Sequence, residues 1–119
     1  MKDNIIQEKS FKFAIRIINL YKFLCENKNE FVLSKQLLRS GTSIGANIEE
    51  SIGGQTSKDF FTKVCISYKE ARETIYWLKL LHETEYLSKE QFDSVIIDAE
   101  ELCKILAKIK ITTQTKLNS

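Results

Sequence analysis

The sequence predicts an all-α fold, an antiparallel up-down-up-down four-helix bundle. Its 119 residues contain no proline and only four glycines, a composition typical of long helices rather than of turn-rich β-proteins. Apolar residues recur every three or four positions in four segments, and short polar or glycine-containing turns separate these segments. Short connections make neighbouring helices antiparallel. We therefore expect one domain over residues 1–111, with helices at about 4–27, 31–52, 58–84 and 88–111, and a flexible tail at 112–119.

The first helix carries two parallel apolar rows. The inner row consists of Phe13, Ile17, Leu20 and Leu24. The second row lies beside it and consists of Phe11, Ala14, Ile18, Tyr21 and Cys25. An apolar stripe this wide predicts contact with more than one neighbouring helix.

The second helix contains two glycines one turn apart, Gly41 and Gly45. Each glycine costs on the order of 1 kcal/mol relative to alanine inside a helix, so the pair predicts either close backbone approach to a neighbour or a kink. Asn47 falls near the apolar seam, where a side-chain amide needs hydrogen-bond partners. We expect a structural polar network that consists of Arg39, Asn47, Glu50 and Glu73, in which Glu73 contacts Arg39 or the Asn47 amide. A ligand site is the alternative interpretation of these residues.

The third helix follows Gly53-Gly54, and Thr56 or Ser57 is expected to cap its N-terminus. Its inner seam alternates spacings of three and four residues and consists of Phe61, Val64, Tyr68, Ala71, Ile75, Leu78 and His82. A second apolar edge lies outside this seam and predicts a subunit interface. The candidate interface residues are Tyr76, Trp77 and Leu80. The alternative is that Trp77 covers the same core.

The fourth helix begins at the sharpest local signal in the chain. Ser88 and Gln91 have the spacing of a capping box, and Leu87 and Phe92 have that of a hydrophobic staple. The inner face of this helix consists of Phe92, Val95, Ile96, Ala99, Leu102, Cys103, Leu106 and Ile109. In an up-down bundle the fourth helix lies beside the first.

Positive charge is concentrated on two segments, although the net charge is only +2. Lys9, Lys12 and Arg16 share one face of the first helix. Lys104 and Lys108 lie near the C-terminus, where four lysines occur without an acidic residue. Because the first and last helices are neighbours, both clusters are candidates for binding nucleic-acid phosphates. The alternative is that they form solvated helix faces and complement a helix C-terminus.

Catalytic and metal-binding patterns are absent from the sequence. A di-iron bundle needs Glu-x-x-His pairs, whereas this chain has a single histidine, His82, and no such pair. The three cysteines are far apart and form no CxxC motif, which indicates free thiols in a reducing compartment. No uncharged apolar run approaches the roughly 20 residues needed to cross a bilayer. We expect a cytoplasmic protein that is not an enzyme and holds no cofactor or metal.

Several motifs resemble those of one known protein family. They are L-L-R-S-G-T-S-I-G-A-N-I-E-E-S at 37–51, S-K-D-F at 57–60, K-E-A-R-E-T-I-Y-W-L at 69–78 and E-Y-L-S at 85–88. They resemble the four-helix-bundle proteins encoded in intervening sequences of bacterial 23S ribosomal RNA genes, a family that includes the accessory protein of diversity-generating retroelements. The resemblance covers about residues 8–110, and the residues that match family motif positions are Arg39, Asn47, Glu50 and Glu73.

This resemblance implies a homopentamer, a barrel of five bundles around a central channel. For the retroelement branch it also implies binding to a reverse transcriptase and to nucleic acid through a basic surface. Two functions follow as hypotheses. In the first, the chain is a homo-oligomeric, non-enzymatic scaffold that binds structured RNA or a ribonucleoprotein partner. In the second, it is a protein-interaction oligomer that binds no nucleic acid.

Overall fold

The computed structural model describes the backbone of residues 2–119 and the side chains of residues 5–119. Its helices are α1 (Lys2–Lys28), α2 (Leu33–Ile52), α3 (Ser57–Glu83) and α4 (Lys89–Asn118). Consecutive helices pack side by side, and α4 returns beside α1 to form an elongated bundle with principal extents of 50 × 22 × 21 Å. The predicted all-α four-helix bundle is confirmed.

Two helices begin at the predicted caps. The Thr56 hydroxyl accepts a hydrogen bond from the backbone N–H of Asp59 at 3.0 Å, which caps α3. Ser88 and Gln91 form both bonds of the capping box of α4, at 3.1 and 2.9 Å. Each cap satisfies backbone donors that have no partner within the helix.

The N-terminus of α2 is capped by a residue that the sequence analysis did not single out. The buried carboxylate of Glu30 accepts hydrogen bonds from the backbone N–H groups of Val32, Leu33 and Ser34, at 3.2, 3.0 and 2.7 Å. One side chain thus satisfies three backbone donors at the start of α2, where the helix dipole favours a negative charge.

The C-terminal end of α4 differs from the prediction. Residues 112–118 continue the helix instead of forming a flexible tail. Thr113 lies one turn after Ile109 on the inner face, is only 9% exposed, and donates its hydroxyl hydrogen to the Ile109 carbonyl at 2.7 Å. The inner face therefore extends one turn beyond its last large apolar residue, because a threonine that bonds to its own helix can be buried there.

Gly41 and Gly45 bring α2 against α1. A Cβ atom on Gly41 would lie 2.8 Å from Cγ2 of Ile17, and one on Gly45 would lie 3.3 Å from the backbone oxygen of Ser10. The close approach predicted from these glycines is confirmed, and α2 is a continuous helix.

Buried hydroxyl groups join α2 to α3. Ser67 donates to the Ile44 carbonyl at 2.9 Å, and Thr74 donates to the Ser40 hydroxyl at 3.0 Å. Among neighbouring helices, α2 and α3 have the most extensive contact, and α1 and α4 have the least. The core between the helices is apolar, and its largest buried side chains include Ile17, Leu24, Leu37, Ile44, Leu78, Leu81, Leu102 and Leu106. Within residues 2–119, no helix combines the length and the apolar character that a membrane span requires.

Candidate functional site

The three predicted basic residues of α1 lie on the side of the helix that faces α4, and each is paired with an acidic side chain. The Lys9 ammonium lies 3.2 Å from Glu101. The Arg16 guanidinium lies 2.7 Å from Asp98. Lys12 lies 3.0 Å from Glu8, one turn earlier on its own helix, and this contact lowers the pKa of Glu8.

Lys104 and Lys108 follow Glu101 at intervals of three and four residues, so they continue the same exposed face of α4. Among the side chains of residues 5–119, no carboxylate lies within 4.0 Å of either ammonium group. The structure thus brings the two predicted basic clusters to one side of the bundle, as expected for neighbouring helices. Asp98 and Glu101 interrupt the positive surface between them.

The polar side chains between α2 and α3 form two separate groups rather than the single predicted network. In the first group, Arg39 forms ion pairs with Glu73 and with Glu70, the latter at 3.0 Å, and the indole N–H of Trp77 donates to Glu73 at 2.8 Å. The predicted contact between Glu73 and Arg39 is confirmed. Because Trp77 shares the same carboxylate, this group connects an aromatic ring of α3 to Arg39 of α2.

Asn47 and Glu50 lie outside that group. The Asn47 amide donates to the Ser43 carbonyl at 2.8 Å, within α2. Glu50 pairs instead with Lys63 on α3, at 2.7 Å. The prediction of one network was wrong because Asn47 is only partly buried and finds its acceptor in the preceding turn of its own helix.

The candidate interface residues of α3 differ in exposure. Tyr76 is 56% exposed and makes an edge-on contact with Trp77, with ring centroids 5.2 Å apart. Trp77 and Leu80 are half-buried, and Trp77 packs against the core. Trp77 thus contributes to the core, the alternative raised from the sequence, while Tyr76 is largely available to a partner.

A larger apolar surface lies on α1, where the sequence analysis did not place an interface. Phe11, Ile15 and Ile18 are 64%, 47% and 37% exposed, and their spacing of four and three residues aligns them on one face. We call these three residues the α1 outer stripe. It points away from the core row that contains Phe13 and Ile17. The wide apolar stripe of α1 was visible in the sequence, but its residues were expected to contact neighbouring helices inside the bundle.

Comparison of the sequence with known protein families identifies the family of this chain. The sequence model of the family described as "23S rRNA-intervening sequence protein" matches residues 2–108. The chain belongs to this family. No curated protein sequence matches it.

A solved structure agrees with membership of the 23S rRNA-intervening sequence protein family. It is the crystal structure of a protein with unknown function from the S23 ribosomal protein family from Bacteroides thetaiotaomicron VPI-5482. The two sequences are 55% identical, the match covers 92% of this chain and 98% of that chain, and the TM-score is 0.91. The resemblance of the motifs to the 23S rRNA-intervening sequence proteins is therefore confirmed.

His82 and Cys103, two chemically reactive side chains of this member of the 23S rRNA-intervening sequence protein family, are both partly buried. His82 stacks on Phe92 with ring centroids 4.4 Å apart, and its Nδ1 atom lies 3.3 Å from the Leu87 carbonyl oxygen. Burial raises the pKa of the Cys103 thiol, which makes this thiol a weaker nucleophile at neutral pH. Across residues 5–119, no cluster of three or more His, Cys, Asp or Glu side chains is suited to hold a metal ion.

Proposed function

We propose that this chain is a non-enzymatic helical scaffold that assembles with copies of itself, as a homopentamer, to bind other proteins. The observation that carries the proposal is the α1 outer stripe. A helix of a monomeric bundle needs one apolar face, whereas α1 has a second one directed to solvent. Large apolar side chains grouped on an exposed face are typical of protein–protein contacts.

Two exposed apolar side chains of α3 are candidates for a second contact with a neighbouring copy. Ile66 and Tyr76 lie on the outer side of α3 and are 37% and 56% exposed. A closed ring needs two different, complementary surfaces on each copy, because each subunit contacts the next one head to tail. The α1 outer stripe and the exposed apolar side chains of α3 are the candidates for these two surfaces, and the family resemblance supports five copies.

The test is the mass of the purified protein in solution, measured by light scattering. A pentamer of 13.8 kDa chains has a mass of about 69 kDa. The variant Ile15→Lys places a charge in the centre of the α1 outer stripe and is expected to yield smaller species. The control is Ile97→Lys, which changes an isoleucine of α4 that is 64% exposed and lies outside both surfaces. A monomeric wild-type protein, or an Ile15→Lys variant that assembles like the control, would contradict the proposal.

Binding of structured RNA is the second candidate function. It is supported by the positions of Lys104 and Lys108, which share one side of the bundle with the basic residues of α1. The ion pairs of Lys9 and Arg16 with α4 place this function second, because a phosphate would have to displace two carboxylates. A reverse transcriptase or another ribonucleoprotein component is the partner that the retroelement branch of the family suggests, and it would use the same side.

An RNA titration at low and moderate salt tests this second function. Phosphate contacts make affinity fall steeply with salt. The variant Lys104→Glu/Lys108→Glu is expected to abolish salt-dependent binding, whereas Lys35→Glu/Lys79→Glu, which changes two exposed lysines on other helices, is expected to retain it. If RNA does not bind at either salt concentration, the scaffold acts on proteins alone. If both double variants bind RNA alike, RNA binds at another surface and the assignment to Lys104 and Lys108 is wrong.

A further inference from the structure

A gap runs along one edge of the bundle, between α1 and α4. It has a volume of about 270 Å³, and Phe13 and Leu102 form its floor. These two side chains are 3% and 1% exposed, so the gap reaches down to the apolar core. The gap is open to solvent and has room for several water molecules, and α1 and α4 have the least contact of the neighbouring helices.

Charged side chains bridge this gap. Lys9 reaches Glu101, and Arg16 reaches Asp98 as well as the carbonyl oxygen of Ser94, at 3.2 Å. Among the side chains of residues 5–119, every hydrogen bond and ion pair between α1 and α4 comes from Lys9 or Arg16. The four charged side chains are between 38% and 50% exposed. Ion pairs this exposed contribute little stability and are screened by salt.

The two edges that α2 shares with α1 and with α3 are held differently. Gly41 allows α2 to pack directly against Ile17 of α1. Between α2 and α3, the buried hydroxyl groups of Ser67 and Thr74 donate across the interface. Moreover, α1 and α4 are the first and last helices of the chain, so no loop connects them. Their separation would strain no connection.

We propose that the edge between α1 and α4 is an ionic latch at which the bundle opens locally while α2 and α3 stay packed. The closed latch consists of the two cations of α1 and the two carboxylates of α4. Breaking these exposed ion pairs costs little, so the main cost of opening is the apolar surface that becomes exposed when solvent and small molecules reach Phe13 and Leu102. The inference is independent of the proposed assembly, because it concerns a different face of α1.

A buried thiol on the floor of the gap reports the opening. In a background with the three native cysteines replaced by serine, Leu102→Cys places a thiol under the latch. The matched control is Leu78→Cys, which removes the same volume from a fully buried position on α3. Both proteins are labelled with a small maleimide under native conditions, and their global stability is measured by urea denaturation. We expect the thiol at position 102 to react about tenfold faster after correction for global stability.

Salt and charge substitutions then test whether the ion pairs control the opening. Raising sodium chloride from about 0.05 M to about 0.5 M, or introducing Arg16→Gln, is expected to increase the labelling rate at position 102 about threefold. The control substitution Lys79→Gln, at an exposed lysine of α3, leaves that rate unchanged. The exchange Arg16→Asp/Asp98→Arg is expected to restore slow labelling.

Two results would overturn the proposal. The first is that both thiols react at rates that follow global unfolding alone. The second is that position 102 reacts faster than position 78 but responds neither to salt nor to Arg16→Gln, because the opening would then not be controlled by the ion pairs.

Discussion

Replacement of Gly41 by alanine tests how closely α1 and α2 approach each other. The new Cβ atom would lie 2.8 Å from Cγ2 and 2.9 Å from Cγ1 of Ile17. Non-bonded carbon atoms pack best at about 3.5–4.0 Å, so the helices must separate by several tenths of an ångström. Ile17 cannot swing aside, because its β-branched side chain is stiff and fully buried.

Two opposing effects determine the magnitude. Alanine is a better helix former than glycine by about 1 kcal/mol, which favours the variant. Overpacking of a well-packed core costs about 1–3 kcal/mol, which opposes it. We expect Gly41→Ala to lower the free energy of unfolding by about 1 kcal/mol. Gly45→Ala is the control: its Cβ atom would lie 3.3 Å from the nearest atom, so the helix-forming gain and the smaller strain should nearly cancel.

The assay is urea denaturation followed by circular dichroism, with all variants at one protein concentration because assembly contributes to stability. A double-mutant cycle with Ile17→Ala isolates the clash. Once the two Cγ atoms are removed, Gly41→Ala should cost much less or become stabilising, with a coupling free energy on the order of 1–2 kcal/mol. If Gly41→Ala stabilises the wild-type protein by about 1 kcal/mol, as at an exposed helix position, the close approach described here is wrong.

Three further substitutions or reactions have expected outcomes. Glu30→Gln leaves three backbone N–H groups at the start of α2 facing a neutral amide and should lower the free energy of unfolding by about 1–2 kcal/mol. The control Glu26→Gln, at an exposed position of α1, should not lower it. Equal stabilities of the two variants would argue against the cap. Ser88→Ala removes the side-chain acceptor of the capping box and should cost about 1 kcal/mol by the same urea assay; no loss would exclude a stabilising role for this cap. In a variant whose only cysteine is Cys103, alkylation by iodoacetamide should reach half its maximal rate at a higher pH than it does for free cysteine. The reason is that burial raises the pKa of this thiol. A half-maximal rate at a lower pH than for free cysteine would contradict that effect.

Local signals in the sequence predicted the helices and most of their ends. Ser88 and Gln91 make the bonds that their spacing indicated, and Thr56 caps α3 as expected. These contacts involve residues three positions apart, so the sequence itself brings the partners together. The contact between Glu73 and Arg39 was also predictable, since a carboxylate near an apolar seam needs a cation and the neighbouring helix supplied one.

Features that depend on helix rotation were not predictable. The two apolar rows of α1 were visible in the sequence, but periodicity cannot tell which row contacts α2 and which faces solvent. Phe11 and Ile18 were therefore expected to contact neighbouring helices and are exposed instead. Hydrogen bonds to the preceding helical turn were not predictable either, because a polarity pattern does not show them. Through such a bond the Asn47 amide finds its acceptor within its own helix, and Thr113 extends the inner face of α4.

Salt separates the two proposals made about α1, because its two exposed sides have opposite chemistry. The α1 outer stripe is apolar, and burial of apolar surface is not weakened by sodium chloride. The side of α1 that faces α4 carries Lys9 and Arg16, whose exposed ion pairs are screened as ionic strength rises. At about 0.5 M sodium chloride, we therefore expect an unchanged mass by light scattering together with faster labelling of Leu102→Cys. If the mass of the assembly fell while labelling of Leu102→Cys became faster, the same ion pairs would hold the copies together. The subunit interface would then have to include the edge between α1 and α4 rather than the α1 outer stripe alone.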